Sequence, residues 1–298
     1  MPAPSAAPAD PASAWRIGAV TVTKVFEQDL VVAAERMFPT ATVAELRAID
    51  WLGADQLDAE GRILMSIHAL VIRTPSRTIV VDTCVGDDKQ GMDVARWNGM
   101  NSGFLRNFAA AGVTRDEVDT VLCTHLHADH VGWNTVWADG AWTPTFPRAR
   151  YLIDRREYEH WRARTHEGEV GAVMSQSLQP VMDAGLMELI DAGRGYGICE
   201  EVSLTPTPGH TPGHVSVRIS SQRELAFITG DAIHHPSQMA RPDWGAVSDD
   251  DRALAERSRR ELLAACETRG VLLIGTHFAG DPAGRVCRHG AVWRFEQG

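Results

Sequence analysis

The sequence has no CxxC pair and only five cysteines, Cys84, Cys123, Cys199, Cys266 and Cys287, an odd and widely scattered set. That spacing argues against a disulfide framework and suits reduced thiols. Positive charge is scarce: 29 Lys and Arg stand against 39 Asp and Glu, a formal net charge of −10. A nucleic-acid partner is therefore disfavoured, because such partners call for a basic face. No apolar run approaches the ~20 residues needed to cross a bilayer. Residues 1–14 are rich in Ala, Pro and Ser, yet have neither a basic start nor an apolar stretch. They read as a flexible tail and not as a signal peptide. The expectation is a soluble, cytoplasmic protein acting on a small molecule, with a homodimer as the expected assembly and neither nucleic acid nor membrane as a partner.

The composition, 44% hydrophobic and 23% charged, is enough for a sizeable buried core. A chain of 298 residues can form one large domain or two small ones. No linker interrupts the middle, so residues 15–298 read as one domain. Strand-like runs occur at Ile17–Phe26, Ile63–Ile72 and Thr78–Asp82, the last two joined by a tight turn over Arg73–Arg77. A helix is expected over Gly103–Ala111, stopped by Gly112, and Thr114 with Glu117 has capping-box spacing. Thr120–Thr124 is a short strand, and Asp154 with Glu157 signals the start of a helix over Arg155–Arg164. Further strands are expected at Val202–Thr205, Val215–Ile219, Leu225–Thr229 and Val271–Ile274. An amphipathic helix over Arg252–Thr268, stopped by Gly270, separates the last two. Runs of strands with helices between them predict a layered α/β sandwich.

The most informative segment is His125-Leu126-His127-Ala128-Asp129-His130, directly after an apolar strand. Four potential ligands in six residues cannot share one face of a regular element. They can converge from a strand-end loop. Imidazole and carboxylate are ligand types that zinc accepts, and catalytic zinc keeps a position for water.

These six residues match the H-x-H-x-D-H motif of the metallo-β-lactamase superfamily, which the sequence resembles over about residues 16–298. Later landmarks follow in the family's order: Thr207-Pro208-Gly209-His210-Thr211-Pro212-Gly213-His214, then Gly230-Asp231, then Gly275-Thr276-His277. Val80-Val81-Asp82-Thr83 resembles the family's early strand ending in aspartate. The spacings from His210 to Asp231 and on to His277 resemble the branch with acyl-homoserine lactonases and methyl-parathion hydrolase. The resemblance implies a four-layer αββα fold and two metal ions, zinc first, with manganese, cobalt or iron(II) as alternatives. It implies that His125, His127 and His210 hold one ion, that Asp129, His130 and His277 hold the other, and that Asp231 bridges both. An anion between two cations lowers their repulsion and suits the ~3.5–4 Å separation of two-metal sites. The implied nucleophile is a bridging hydroxide, formed because a zinc-bound water has its pKa lowered toward ~7.

His214, four residues after His210, begins a strand and is expected to pack or make a structural hydrogen bond. Asp82 can accept the free N–H of a ligand histidine and fix its tautomer, or it can cap a turn. The candidate catalytic residues are Asp129, Asp231 and His234. His234 stands near the place where the lactonases carry a tyrosine. It could donate to an oxyanion or protonate a leaving group, or it could be a partly exposed loop histidine. His68, His160, His166, His235 and His289 have no constellation around them and read as structural or surface residues. Among the aromatic and methionine candidates for a pocket wall (Trp97, Met100, Phe104, Trp133, Trp137, Met239 and Trp244), Trp133 beside the motif is the one singled out.

The implied reaction is hydrolysis of a lactone or carboxylic ester, with an organophosphate triesterase as the alternative, since the same nucleophile can attack phosphorus. A glutathione-thioester hydrolase is disfavoured, because only 21 residues follow His277. A β-lactamase of the common zinc class would carry cysteine in place of Asp231. Diiron flavoproteins of this fold would carry glutamate in place of His127. An iron-dependent oxygenase and a metal-stabilised binding protein remain as readings from other functional classes.

Overall fold

The computed structural model describes residues 13–267 and 270–297. The expected tail therefore lies outside the described residues over 1–12, and its boundary is earlier than expected, because Ala14 already pairs in a strand. Seven strands form a first sheet: β1 (Ala14–Ile17), β2 (Val20–Val32), β3 (Ile63–Arg73), β4 (Thr78–Val81), β5 (Thr120–Leu122), β8 (Arg150–Asp154) and β9 (Met187–Ile190), in that spatial order. Between β5 and β8 the chain makes a separate hairpin, β6 (Thr135–Ala138) with β7 (Ala141–Pro144). A second seven-stranded sheet runs in sequence order through β10 (Tyr196–Gly197), β11 (Val202–Pro206), β12 (Val215–Ser221), β13 (Glu224–Ile228), β14 (Leu272–Ile274), β15 (Ala283–His289) and β16 (Val292–Gln297).

The side-chain pattern explains why the sheets stack. In β3, Leu70 and Ile72 face the second sheet, while Ile67, Ala69 and Val71 face the helices on the outside. Strands covered on both faces read as continuous apolar runs, as in residues 69–72 of β3, 79–81 of β4 and 151–153 of β8. On the second sheet, Ala226, Ile228 and Ile274 point into the inter-sheet core, while Phe227 and Leu273 pack against the outer helix Arg252–Glu267. That helix buries Ala255, Ser258, Arg259, Leu262, Leu263 and Cys266, a single stripe at helical spacing. The result is four layers, helices–sheet–sheet–helices. The expected end of this helix at Thr268 lies outside the described residues.

The expected strand Ile17–Phe26 is divided by a turn at Gly18-Ala19, and β2 runs on to Val32. Its register against β3 shifts between Phe26 and Gln28. This bulge turns Glu27 inward, where its carboxylate accepts the Val85 and Gly86 N–H groups at 2.9 and 3.0 Å. The expected helix Arg155–Arg164 spans Arg155–Arg162, and Asp154 caps it by accepting the Arg156 N–H. Glu157 does not complete a capping box there; it is buried and serves the site described below. Thr114 and Glu117 do form the box, around a single 3-10 turn. The five cysteines form no disulfide. Among the described residues, no helix is long and apolar enough to cross a membrane.

Candidate metal centre

Strands β4, β5 and β8 are parallel, as are β13 and β14. Parallel strands deliver their C-terminal ends to one edge of a sheet, and the motifs lie at those ends. Asp82 leaves β4, the His125–His130 segment leaves β5, Asp231 follows β13 and His277 follows β14. His210 comes from the loop between β11 and β12. Residues as far apart in sequence as Asp82 and His277 are thus gathered at one mouth of the sandwich by the parallel strands of the two sheets and by the β11–β12 loop.

Two groups of side chains result. The ligand atoms of His125, His127, His210 and Asp231 lie within 4.8 Å of one another, as do those of Asp129, His130 and His277. In the first group, His127 Nδ1 is 2.9 Å from both His125 Nε2 and His210 Nε2. In the second, His130 Nε2 and His277 Nε2 are 3.1 Å apart. Asp231 faces both groups. Its Oδ2 lies 3.7 Å from His125 Nε2 and 3.5 Å from His210 Nε2, and its Oδ1 lies 3.4 Å from His130 Nε2 and 3.3 Å from His277 Nε2. Asp129 closes the second group with Oδ2 3.6 Å from His277 Nε2.

The far ring nitrogens fix which lone pairs point inward. His130 Nδ1 donates to Asp82 Oδ2 at 2.8 Å, His210 Nδ1 to Asp249 Oδ1 at 2.8 Å, and His277 Nδ1 to the Ser66 carbonyl at 3.2 Å. Asp82 also accepts the Thr124 N–H and hydroxyl, so Thr124 Oγ1 is left to accept from His125 Nδ1 at 3.1 Å. With those protons committed outward, His130 Nε2 and His277 Nε2 in their neutral forms would present two lone pairs to each other. Asp231 Oδ1 is buried with no hydrogen-bond partner. Opposed lone pairs beside an unpartnered buried carboxylate oxygen are satisfied by a cation. Five imidazoles and two carboxylates are a donor set that zinc and related divalent ions accept, so the residues fit the implied metals.

The electrostatics point the same way. Burial pushes His125, His127 and His210 well below the ordinary histidine pKa, which keeps them neutral and able to ligate. Burial also opposes charge on His130, but Asp231, Asp82 and Asp129 outweigh it and hold that imidazole well above its ordinary value. Burial likewise works against ionisation of Asp231, and His277, His130, His234 and His125 overcome it to keep the carboxyl well below its usual range. The second group is thus a place where positive charge is favoured.

Backbone and outer contacts hold this geometry. Gly230 has φ of 53°, and a Cβ there would come within 2.5 Å of His214 Nε2. The glycine lets the Asp231 N–H reach that nitrogen at 2.8 Å, while His214 Nδ1 meets Thr207 Oγ1 and carbonyl at 2.9 and 3.0 Å. His214 is therefore a structural partner of Asp231, and burial lowers its pKa to about 4. Asp82 sits at φ 54°, a left-handed conformation that Asp tolerates better than most residues. Glu157 ties two loops together: it accepts the Leu126 N–H at 3.1 Å, the Gly213 N–H at 2.9 Å and the Trp161 indole N–H at 2.6 Å.

Several residues were not legible in the sequence. Asp249, which orients His210, lies 39 positions away in a loop with no motif. Its other oxygen accepts the Ala246 N–H at 2.8 Å and faces the fully buried Arg259 at 3.7 Å. Trp161 sits against His127, ring centroids 5.1 Å apart, and shares a small cavity with Leu126, Ala128, Val170, Val173, Met174 and the carboxylate of Glu169.

Trp133 requires a correction. Its indole is buried in the core, stacked on Phe104 and donating to Glu27 Oε1 at 2.7 Å, and it does not line the cavity beside His127. Trp97, Phe104, Met239 and Trp244 are also core, whereas Trp137 is exposed. His234 is not an exposed loop histidine. It is buried, with Nε2 3.2 Å from Asp231 Oδ2 and its ring 4.7 Å from that of His210. Neither of its ring nitrogens has a hydrogen-bond partner. His68 and His235 are buried and hydrogen-bonded away from the cluster, and His166 is exposed.

The chain is 28% identical over 184 residues to N-acyl homoserine lactonase AttM of Azorhizobium caulinodans, covering 59% of this chain and 64% of the relative. It is 31% identical over 124 residues to N-acyl homoserine lactonase AiiA of Bacillus thuringiensis subsp. kurstaki, covering 41% and 42%. These matches thus span less than two thirds of the relatives' length. Among solved structures, the fold is similar to that of AidC, described as a dizinc quorum-quenching lactonase in complex with a product. The TM-score there is 0.77 at 21% identity, over 96% of this chain and 97% of the other. It is also similar to the hydrolase AbOPH, with a TM-score of 0.78 at 21% identity over 95% and 96%. The model of the metallo-β-lactamase superfamily matches residues 63–277, from the start of β3 to the last histidine of the cluster, and the chain belongs to that superfamily.

Proposed function

We propose that the protein is a hydrolase that cleaves a lactone or carboxylic ester with two divalent cations, zinc foremost, held by His125, His127, His210, Asp129, His130, His277 and Asp231. The observation that carries this reading is the two-sided placement of Asp231, one oxygen toward each histidine group. Cations bound there supply Lewis acidity, polarising a carbonyl oxygen and lowering the pKa of a coordinated water. The chain's own residues do the rest. His127 and Asp129 are the only members of the two groups that keep partial exposure, so substrate approaches from their side. The cavity of Leu126, Trp161, Val170, Val173 and Met174 beside His127, with Glu169 as its one carboxylate, offers an apolar wall for the acyl or alkyl part. His234, with no hydrogen bond at either ring nitrogen and Nε2 3.2 Å from Asp231 Oδ2, is placed to donate to the substrate's oxygen or to its leaving group.

Elemental analysis of purified protein is expected to give two metal equivalents per chain. Rates on lactones, aryl and alkyl esters and phosphotriesters are expected to be highest for the carboxylic substrates. Full activity with one equivalent would contradict the two-cation reading, and faster turnover of phosphotriesters would replace the substrate class. Asp249→Asn is expected to weaken metal affinity by ~10–100-fold, because His210 loses the carboxylate that fixes its tautomer. Titration of metal-free protein against a chromophoric chelator measures that loss directly.

A further inference from the structure

We infer that the fold carries a second ligand site, apart from the metal centre, for a small organic polyanion with an apolar ring or chain. A cavity of about 720 Å³ lies between β1, the β12–β13 hairpin and the β14–β15 pair, and Arg16, Arg218, Arg223 and Arg285 line it. That volume is in the range of small-molecule sites. Among the described residues the lining contains one carboxylate, Glu224, exposed as Arg16, Arg223 and Arg285 are, against these four guanidinium groups, of which Arg218 is half-buried. Among the described residues none of the four arginines forms an ion pair. Arg16 donates to the Gly18 carbonyl and Arg285 to the Gly270 carbonyl, while the guanidinium groups of Arg218 and Arg223 have no hydrogen bond. Among the described residues this positive charge, gathered in one concavity of a chain with net charge −10, meets only Glu224 as a lining carboxylate, and an anion entering there would lower the repulsion between the guanidinium groups. The planar guanidinium fork matches phosphate, sulfonate or carboxylate oxygens two at a time. Trp15, Leu225 and Leu272 supply an apolar wall for the rest of the ligand.

The hairpin itself gives a second, independent reason. Ser221 pairs with Glu224, so Gln222 and Arg223 form a two-residue turn, with φ of 49° and 71°. Such turns favour Asn-Gly, because both positions are left-handed. Here an arginine occupies the position that favours glycine, and its side chain lines the cavity. Both turn positions hold non-glycine residues in the left-handed region, and a binding role for the Arg223 side chain accounts for an arginine at the second of them.

The site is separate from the metal centre by topology. Leu225 and Leu272 stand at the N-terminal ends of the parallel strands β13 and β14, whereas Asp231 and His277 follow their C-terminal ends. Strand rise alone places Leu225 ~10 Å from Ile228, before the chain reaches Asp231.

The test uses 1,5-naphthalenedisulfonate as probe, a rigid ring with two weakly metal-ligating anionic groups, titrated calorimetrically into metal-loaded full-length protein. Binding at one equivalent is expected, weakening as salt rises. Arg218→Gln and, separately, Arg223→Gly should each weaken it ~10-fold or more, while ester hydrolysis and metal content stay unchanged. Glycine suits the left-handed turn position, so loss of binding in Arg223→Gly is not loss of fold. The inference is overturned by absence of binding at ~1 mM probe, or by equal binding to both variants and the parent. It is overturned as well if neutral 1,5-naphthalenediol binds as tightly as the disulfonate.

Discussion

Asp231→Asn is expected to remove nearly all turnover while leaving the fold in place. The substitution preserves side-chain volume but takes away the anion that faces both histidine groups, with Oδ1 3.3 Å from His277 Nε2 and Oδ2 3.5 Å from His210 Nε2. Two cations there would lose the charge that offsets their repulsion. Affinity for the second should fall ~10–100-fold or more, by comparison with the loss seen when hydrogen-bond partners of metal ligands are removed. The carboxamide can still place its backbone N–H on His214, so the melting transition should move far less than the rate. Metal stoichiometry, thermal melting and ester hydrolysis measured on one preparation decide the matter. A variant that keeps two equivalents and full activity would show that Asp231 does not bridge.

His234→Ala is expected to lower kcat by ~10²-fold or more, with metal content unchanged, if this imidazole protonates the leaving group. Its ring is buried against His210 and lies parallel to that of His277, with centroids 6.2 Å apart; neither nitrogen makes a hydrogen bond, although Nε2 lies 3.2 Å from Asp231 Oδ2. A buried polar side chain without partners is unfavourable unless something else in the working site engages it. Esters with good leaving groups, such as nitrophenyl esters, need little protonation and should lose less than alkyl esters. Equal losses for both would point to donation to the oxyanion. An unchanged kcat for both would reduce His234 to a packing residue.

The opposite character of the two histidine groups explains why both experiments bear on the same centre. Burial keeps His125, His127 and His210 neutral, while the carboxylates around His130 favour positive charge. Asp231 lies between the two, with one carboxylate oxygen toward each group.

The sequence by itself determined the ligand candidates and the order of the strands that present them. Four ligating residues in six positions are a local pattern, and so are Gly230 before Asp231 and the turn around His210. Each is set by residue type and spacing over a few positions, where the chain has little freedom. Tertiary structure alone decided which carboxylates serve those ligands. Asp249 and Glu157 act on residues dozens of positions away, and nothing in their neighbourhoods marks them. Their partners are named only when the parallel strands of the two sheets bring separate loops to one mouth. The same reason explains Trp133. Its place beside the motif suggested a pocket wall, but the bulge in β2 turns Glu27 inward, and that carboxylate holds the indole in the core. Trp161, one turn along a helix from Glu157, takes the place beside His127 instead. Sequence proximity fixes what a segment can contribute, whereas side-chain direction depends on packing between layers that are far apart along the chain.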